Sequence, residues 1–158
     1  MYVSLAGDHN GFSFSSIAFM FKTICCCKRN NNDRQERQLS DDNDDSVSTS
    51  SLVGTWYGED EGYGCEFQFK ANGTMTYIET MLDAPTSKVR DSGTYHLDGN
   101  RLTLYWTQSE TWSNYRQQWV VDDTSTETAV VKVSIKGNQL TLYPDKSDDS
   151  PPVTFTRK

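Results

Sequence analysis

The stretch Tyr95-His-Leu-Asp-Gly-Asn-Arg-Leu-Thr-Leu-Tyr105 has the pattern of two short strands joined by a tight reversal. After the reversal, apolar side chains recur at every second residue, at Leu102, Leu104 and Trp106. A period of two gives one apolar and one polar face, as a half-buried antiparallel strand requires. Gly99 and Asn100 tolerate the positive φ of a tight turn. The stretch therefore predicts a β-hairpin.

The same pattern continues over the rest of the sequence from Leu52 onward. Further hairpin signals are Asn72-Gly73 and Gly137-Asn138. No window has the period of an amphipathic helix of useful length. We predict strands at 52–58, 63–70, 74–81, 90–97, 101–107, 115–122, 128–136, 139–144 and 152–157. The fold class is therefore all-β and antiparallel.

Eight or nine strands linked by hairpins would leave two unpaired edges in an open sheet. Closure into a barrel removes the edges, and about eight strands enclose an interior wide enough for side chains or one small ligand. A sandwich of two sheets is the alternative. The residues at the two ends of the predicted domain favour the barrel.

A Gly-x-Trp motif, Gly54-Thr-Trp56, opens the first predicted strand, and Arg157 lies at the end of the last one. This arrangement resembles the lipocalin-like, or calycin, barrels, in which the tryptophan closes the barrel floor and the arginine packs over it. The resemblance covers residues 52–158 and is closest to short lipocalin-like domains of bacterial envelope lipoproteins. It implies an up-and-down barrel with Trp56 and Arg157 as a structural pair, because a guanidinium stacked on an indole is a favourable cation–π contact. The other lipocalin motifs are not evident, so the resemblance implies no particular ligand.

Charge and composition divide the chain and exclude one class of partner. The formal net charge is −7, whereas nucleic-acid binding depends on clustered Lys and Arg, so we expect no nucleic-acid partner. Residues 28–51 are rich in Asn, Asp and Ser and bury too little to order a backbone. We therefore predict a disordered polar linker at 28–51 and one barrel domain at 52–158, which we expect to be a monomer.

The segment 1–27 contains a short apolar run, Phe12-Ser-Phe-Ser-Ser-Ile-Ala-Phe-Met-Phe21, and then three adjacent cysteines, 25–27. A membrane-spanning helix needs about 20 apolar residues, so the run is too short to cross a bilayer. It suits the apolar region of a secretory signal, which is roughly 7–15 residues long. With the polar tract that follows, this order resembles a bacterial lipoprotein lipidated at Cys27, which places the protein in the cell envelope and in contact with a membrane only through that anchor. No Lys or Arg precedes Phe12, so a segment with no targeting role is the alternative.

The sequence offers little catalytic chemistry. His9 and His96 lie far apart, and no nucleophile elbow, phosphate-binding loop or zinc-protease motif is present. The carboxylate groups at 59–61 and 122–123 fall in predicted turns, where solvent exposure is expected. Adjacent cysteines cannot easily bridge one another, and the cysteines lack the spacing of a zinc site. We therefore expect no enzyme, no cofactor and no metal, with Cys65 as a small core residue.

Five aromatic residues of the middle strands form the candidate ligand site. Ligand pockets are typically apolar and aromatic, with a few placed polar groups. We expect Trp106 and Trp119 to point into the barrel and Trp112 to lie in a loop at 107–114. Core packing is the alternative role. The candidates are Tyr77, Trp106, Trp112, Tyr115 and Trp119.

These observations give two non-enzymatic function hypotheses, and an enzyme that uses the barrel mouth is the remaining alternative. The first is a non-enzymatic lipocalin-like domain that binds a small hydrophobic ligand at the barrel mouth. The second is a protein–protein interaction or structural envelope protein whose barrel is filled by its own side chains. An apolar cavity above about 300 Å³ would favour the first. An exposed aromatic patch on a filled barrel would favour the second.

Overall fold

A computed structural model describes residues 46–60, 62–124, 126–144 and 151–158. These residues form one short helix and nine strands. The helix is α1 (Thr49–Leu52), and the strands are β1 (Gly54–Asp60), β2 (Tyr63–Phe69), β3 (Thr74–Met81), β4 (Lys88–Asp98), β5 (Arg101–Ser113), β6 (Gln118–Asp123), β7 (Glu127–Lys136), β8 (Gln139–Tyr143) and β9 (Val153–Arg157). Each of the nine strands overlaps one predicted strand.

The strands form a closed barrel with one additional strand. Their order in the sheet is β4-β3-β2-β1-β9-β8-β7-β5-β6, and a further pairing of β4 with β5 closes the ring. Eight strands therefore make an antiparallel up-and-down barrel, while β6 pairs with the second half of β5 outside the ring. The predicted all-β barrel is confirmed, and the two-sheet sandwich is excluded.

The ordered domain begins earlier than the sequence predicts. Residues 46–51 were assigned to the linker, but Val47 packs against the core and its backbone N–H donates to the Gly99 carbonyl at 3.1 Å. Helix α1 follows, with Ser48 as its N-cap, and Leu52 is fully buried. The apolar contacts of Val47 and Leu52 compensate for the entropy cost of ordering this otherwise polar segment. The predicted segment 1–27, Cys27 and the linker up to residue 45 lie outside the described residues.

One end of the barrel is closed by the pair that the resemblance implies. The guanidinium carbon of Arg157 lies 4.1 Å from the centroid of the Trp56 ring, and the two residues pair between β1 and β9. Arg157 also donates to the carbonyls of Val53 at 2.9 Å and Ser51 at 2.5 Å. The Trp56 indole N–H donates to the Leu52 carbonyl at 2.8 Å. Helix α1, β1 and β9 are thereby tied together beneath the barrel.

Gly54 is the residue of the Gly-x-Trp motif that this closure requires. Its φ is +140°, a conformation that L side chains rarely adopt. A Cβ at this position would lie 2.6 Å from Nη1 of Arg157. The motif therefore combines an unhindered approach for the guanidinium with the aromatic face on which it stacks.

A β-bulge in β5 changes which residues face the barrel interior. The register steps from Trp106 opposite Gly93 to Gln108 opposite Ser92, so Thr107 is the extra residue of the bulge, and its hydroxyl donates to the Ser92 carbonyl at 3.2 Å. A Cβ on Gly93 would lie 1.9 Å from the Tyr105 carbonyl oxygen, so only glycine fits opposite the bulge. An extra residue shifts the side-chain alternation by one. Inner positions of β5 are therefore even-numbered before the bulge and odd-numbered after it.

Candidate functional site

The ladder registers define the inner face of the barrel above its closed end. One row of laterally paired residues contains Trp56, Phe67, Tyr77, Asp91 and Ser109, which lie side by side on neighbouring strands. The side chains of the first four are buried, which identifies this as the inner face. The next inner level lies toward the end opposite α1, which we term the mouth, and the level below lies toward the closed end. The level toward the mouth contains Cys65, Glu79 and Val89, and the level below contains Phe69, Met75, Gly93 and Trp106.

An aromatic wall occupies the middle of the interior. The Phe67 ring centroid lies 4.7 Å from that of Tyr77, 6.3 Å from that of Trp106 and 5.4 Å from that of Phe155. The rings of Tyr77 and Trp106 meet edge to face at 6.4 Å. Such contacts hold each ring in a fixed orientation. The sequence-predicted candidates Tyr77 and Trp106 therefore lie together inside the barrel.

Polar groups lie among these rings and above them. The Tyr77 hydroxyl donates to Oε2 of Glu79 at 3.4 Å, and Tyr77 is also hydrogen-bonded to Cys65. On the neighbouring strand, Asp91 is only 4% exposed and is hydrogen-bonded to Ser109. We refer to Cys65, Tyr77, Glu79, Asp91 and Trp106 as the interior cluster.

The carboxylates of the interior cluster titrate at higher pH than usual. Burial is the largest cause and raises the pKa of Asp91 from 3.8 to about 6; Ser109 lowers it in part, and the charge of Glu127 raises it further. Burial also raises the pKa of Glu79, which Tyr77 opposes and the charges of Asp91 and Asp60 reinforce. The charged groups that act on both carboxylates are therefore other carboxylates.

The other titratable groups of the cluster remain protonated near neutral pH. Burial raises the pKa of the Cys65 thiol to about 11, and burial likewise raises the pKa of Tyr77 well above its ordinary value. A cysteine reacts as its thiolate, so Cys65 is a poor nucleophile in this environment. Its buried position matches the core role expected from the sequence.

Trp106 carries an unsatisfied donor. Its side chain is 2% exposed, and its indole nitrogen Nε1 is buried without a hydrogen-bond partner among the described residues. A buried donor without a partner costs about 1–3 kcal/mol. By contrast, the Trp56 indole donates to a carbonyl. Buried polar groups are nearly always satisfied, so the exception at Trp106 calls for an explanation.

Trp112 and Trp119 lie outside the barrel interior. They are opposite each other in the β5–β6 ladder, with ring centroids 5.5 Å apart. Trp112 shares its face of β5 with Glu110, which pairs laterally with Arg90, and the Arg90 guanidinium carbon lies 4.5 Å from the Trp119 ring centroid. Arg90 alternates with the inward Asp91, so this is the outer face.

A salt bridge between Arg90 and Glu110 lies beside these two tryptophans on the outer face. Arg90 donates from Nε and Nη2 to the same oxygen of Glu110, each at 2.7 Å, and Glu110 is only 7% exposed. We refer to Arg90, Glu110, Trp112 and Trp119 as the outer cluster. It attaches β6 to the outside of the ring.

The sequence prediction for this region is therefore wrong in two respects. Trp112 lies in β5 and not in a loop, because the polar run at 107–111 is strand paired with β4 and β6 on its two sides. Trp119 does not point inward, because the bulge at Thr107 reverses the alternation of β5 and hence the face that β6 shares with it. Tyr115 lies in the turn between β5 and β6 and is 96% exposed.

Glu79 and Asp91 are interior residues that the sequence pattern did not predict as site residues. Glu79 follows Tyr77 by two residues, and Asp91 precedes Tyr95 by four, so both are in phase with buried positions of their strands. The sequence feature that could have identified them is an acidic residue at a strand position where the alternation predicts an inward, apolar side chain. This feature is recognised only when the alternation of inward and outward positions is assigned to every residue of the strand, polar residues included.

The remaining chemical candidates are dispersed. His96 is exposed on β4, and Glu59 and Asp122 are exposed as well. Within the described ranges, no three His, Cys, Asp or Glu side chains approach closely enough to hold a metal ion. None of the helices in the described part of the chain is long and apolar enough to cross a membrane.

Comparison with known proteins adds no family assignment. No protein-family model matches the chain, and no curated protein matches it. The closed eight-stranded barrel is compatible with a lipocalin-like fold.

Proposed function

We propose that this domain is a non-enzymatic, lipocalin-like module that binds one small ligand inside its barrel. The observation that carries the proposal is the buried indole N–H of Trp106, which has no acceptor in the described residues. A ligand with a hydrogen-bond acceptor would satisfy this donor and remove its cost. The barrel mouth is one of the places where small-molecule sites occur most often.

The surroundings of Trp106 support a ligand that is largely apolar. Phe67 and Tyr77 present aromatic surface next to the indole ring. Below them, the Trp56–Arg157 pair closes the barrel, so access is expected from the mouth. Apolar walls combined with one directed donor are typical of a site that fixes a ligand's orientation.

Native mass spectrometry of the full chain, purified from its own source, tests this proposal. We expect a non-covalent mass on the wild-type protein. Trp106→Phe keeps an aromatic wall but removes the donor, so this variant should lose that mass or retain it only weakly. Trp119→Phe is the matched control, since its ring lies on the outer face, and it should retain the ligand. A bare wild-type protein, or equal retention by both variants, would contradict the proposal.

A second candidate function is binding to another macromolecule through the barrel exterior. The exposure of Tyr115 at the tip of the β5–β6 hairpin favours it, as does that of Val121, which is 50% exposed on β6. In this case the barrel needs no small ligand. Tyr115→Ser should then abolish a defined complex without changing the bound small-molecule mass, whereas Trp106→Phe should leave the complex intact.

The cell-envelope location remains a separate proposal from the sequence. If the protein is a lipoprotein anchored through Cys27, Cys27→Ser should move it from the membrane fraction to the soluble fraction. Cys65→Ser serves as the control, because this thiol is buried in the barrel. An unchanged membrane fraction in Cys27→Ser would contradict lipidation at that residue.

A further inference from the structure

Two acidic residues lie beside the aromatic wall on the inner face of the barrel. Asp91 occupies the same level as Tyr77, and Glu79 lies one level closer to the mouth on the adjacent strand. In an antiparallel ladder, such diagonal neighbours have Cα atoms about 7–8 Å apart. The two carboxylates therefore lie near enough to act on a single small molecule.

Stability alone does not explain an acid at position 91. Burying an ionised carboxylate without a counter-charge is unfavourable, and the charged groups acting on Asp91 and Glu79 are carboxylates. An asparagine would fill nearly the same volume and could still be hydrogen-bonded to Ser109. Groups that lower stability in this way are found most often at functional sites.

We propose that the interior cluster binds a small protonated amine that also carries a hydrogen-bond acceptor. Asp91 and Glu79 provide the counter-charge for the ammonium group, and the indole N–H of Trp106 donates to the acceptor. This inference rests on the proposed function and names the chemical class of its ligand. Aromatic rings beside a cation add favourable cation–π energy, and Phe67, Tyr77 and Trp106 supply them.

The placement of donor and acid sets the shape of this ligand. Trp106 is opposite Gly93, and Asp91 lies two residues further along β4 toward the mouth. Two residues of an extended strand span about 7 Å. The acceptor therefore binds deeper in the barrel and the ammonium group closer to the mouth.

An organic cation fits these residues better than a metal ion. Within the described ranges, no set of three potential metal ligands comes together, and aromatic rings are part of the cluster alongside its carboxylates. A bare metal ion would require several oxygen ligands in a defined geometry. An alkylammonium group instead needs one or two carboxylates, with apolar surface for its carbon chain.

A matched set of three probes tests the inference in the full-length protein. Tyramine, tyrosol and 4-hydroxyphenylacetate share a phenol but end in an ammonium, a hydroxyl and a carboxylate group, respectively. Calorimetric titration near neutral pH should rank tyramine first, at least about tenfold tighter than tyrosol, as one charge-assisted hydrogen bond predicts. 4-Hydroxyphenylacetate should bind more weakly than tyrosol, because the interior carboxylates repel it. Amide chemical shifts should change at β3 and β4 positions facing the interior.

Two variants test whether Asp91 and Glu79 cause the preference for tyramine over tyrosol. Asp91→Asn and Glu79→Gln should each weaken tyramine binding about tenfold while leaving tyrosol binding nearly unchanged. Asp98→Asn is the control, because Asp98 is exposed in the same strand at the closed end. Trp106→Phe should weaken tyramine and tyrosol binding alike, since both probes lose the same donor.

The outcomes separate this inference from the proposed function. Equal binding of the three probes, or a tyramine preference that survives both Asp91→Asn and Glu79→Gln, overturns the inference but leaves a ligand site intact. Failure of tyramine to bind also overturns it for this class of ligand. Only the native mass spectra of the wild-type protein and Trp106→Phe decide whether the barrel holds a ligand at all.

Discussion

Asp91 lies directly opposite Tyr77 in the β3–β4 ladder, with both side chains buried on the inner face of the barrel. The pair joins the aromatic wall to the acidic residues beside it. A neutral ring and a buried acid opposite each other place a polar group next to the aromatic core.

Asp91→Asn should stabilise the protein near neutral pH. The pKa of Asp91 rises from 3.8 to about 6 in the folded protein, so between these values the folded state holds a proton that the unfolded state has lost. Stability contributed by the protonated acid is therefore complete below about pH 4 and is lost as the pH rises through about 6. We expect a gain on the order of 2–3 kcal/mol near pH 7 in urea denaturation, shrinking toward zero near pH 3. A variant less stable than the wild type near pH 7 would contradict the sign of this shift.

Trp106→Phe and Trp56→Phe should differ sharply in how much each lowers the free energy of unfolding. Trp106→Phe removes an unsatisfied buried donor, and this gain offsets the loss of packing, so the free energy of unfolding should change by less than about 1 kcal/mol. Trp56→Phe removes a hydrogen bond to Leu52 and weakens the stacking of Arg157. It should cost at least about 2 kcal/mol. Equal costs in chemical denaturation would mean that the Trp106 donor is satisfied.

Trp56→Ala should rank among the most destabilising single substitutions in the domain. Trp56 is fully buried, and truncation of a large buried aromatic residue typically costs 3–5 kcal/mol. Tyr115→Ala provides the comparison, because a side chain that is 96% exposed should contribute less than about 0.5 kcal/mol. Thermal or urea unfolding monitored by circular dichroism measures both. A cost below about 1 kcal/mol for Trp56→Ala would remove this residue from the core.

Arg90 and Glu110 should show strong coupling in a double-mutant cycle. Arg90→Met leaves the nearly buried Glu110 carboxylate without its partner, which should cost about 2–3 kcal/mol, while the double substitution to methionine at both positions should recover most of that loss. Equilibrium unfolding of the two single variants and the double variant gives the coupling energy. Additive effects would show that the outer cluster is held by its tryptophans and not by this ion pair.

The barrel was predictable from the sequence because strands and hairpins depend on short-range residue patterns. Alternation and glycine–asparagine turns determine strands and hairpins, and the Gly-x-Trp motif with Arg157 indicated how the ends meet. The beginning of the domain was less predictable, since Val47 and Leu52 are isolated apolar residues in a polar stretch. Their burial depends on the space beneath the finished barrel, which no local pattern reports.

The ligand candidates were only partly predictable, and a single residue explains most of the difference. Alternation extended through β5 from Trp106 places Trp112 on the inner face, but the bulge at Thr107 places it on the outer face. The bulge depends on the close approach of Gly93 to Tyr105 in another part of the hairpin. Asp91 and Glu79 could be recognised as interior residues only from the strand register, which places them beside Tyr77.

The contact of Arg157 with the carbonyls of Ser51 and Val53 has a consequence for biosynthesis. A ribosome synthesises β1 about a hundred residues before β9, so β1 and β8 emerge as bare edges that must wait for their shared neighbour. During that interval Trp56 lacks its guanidinium cover. Translation that stalls before Val153 would therefore release a sheet with two unpaired edges, which is prone to aggregate.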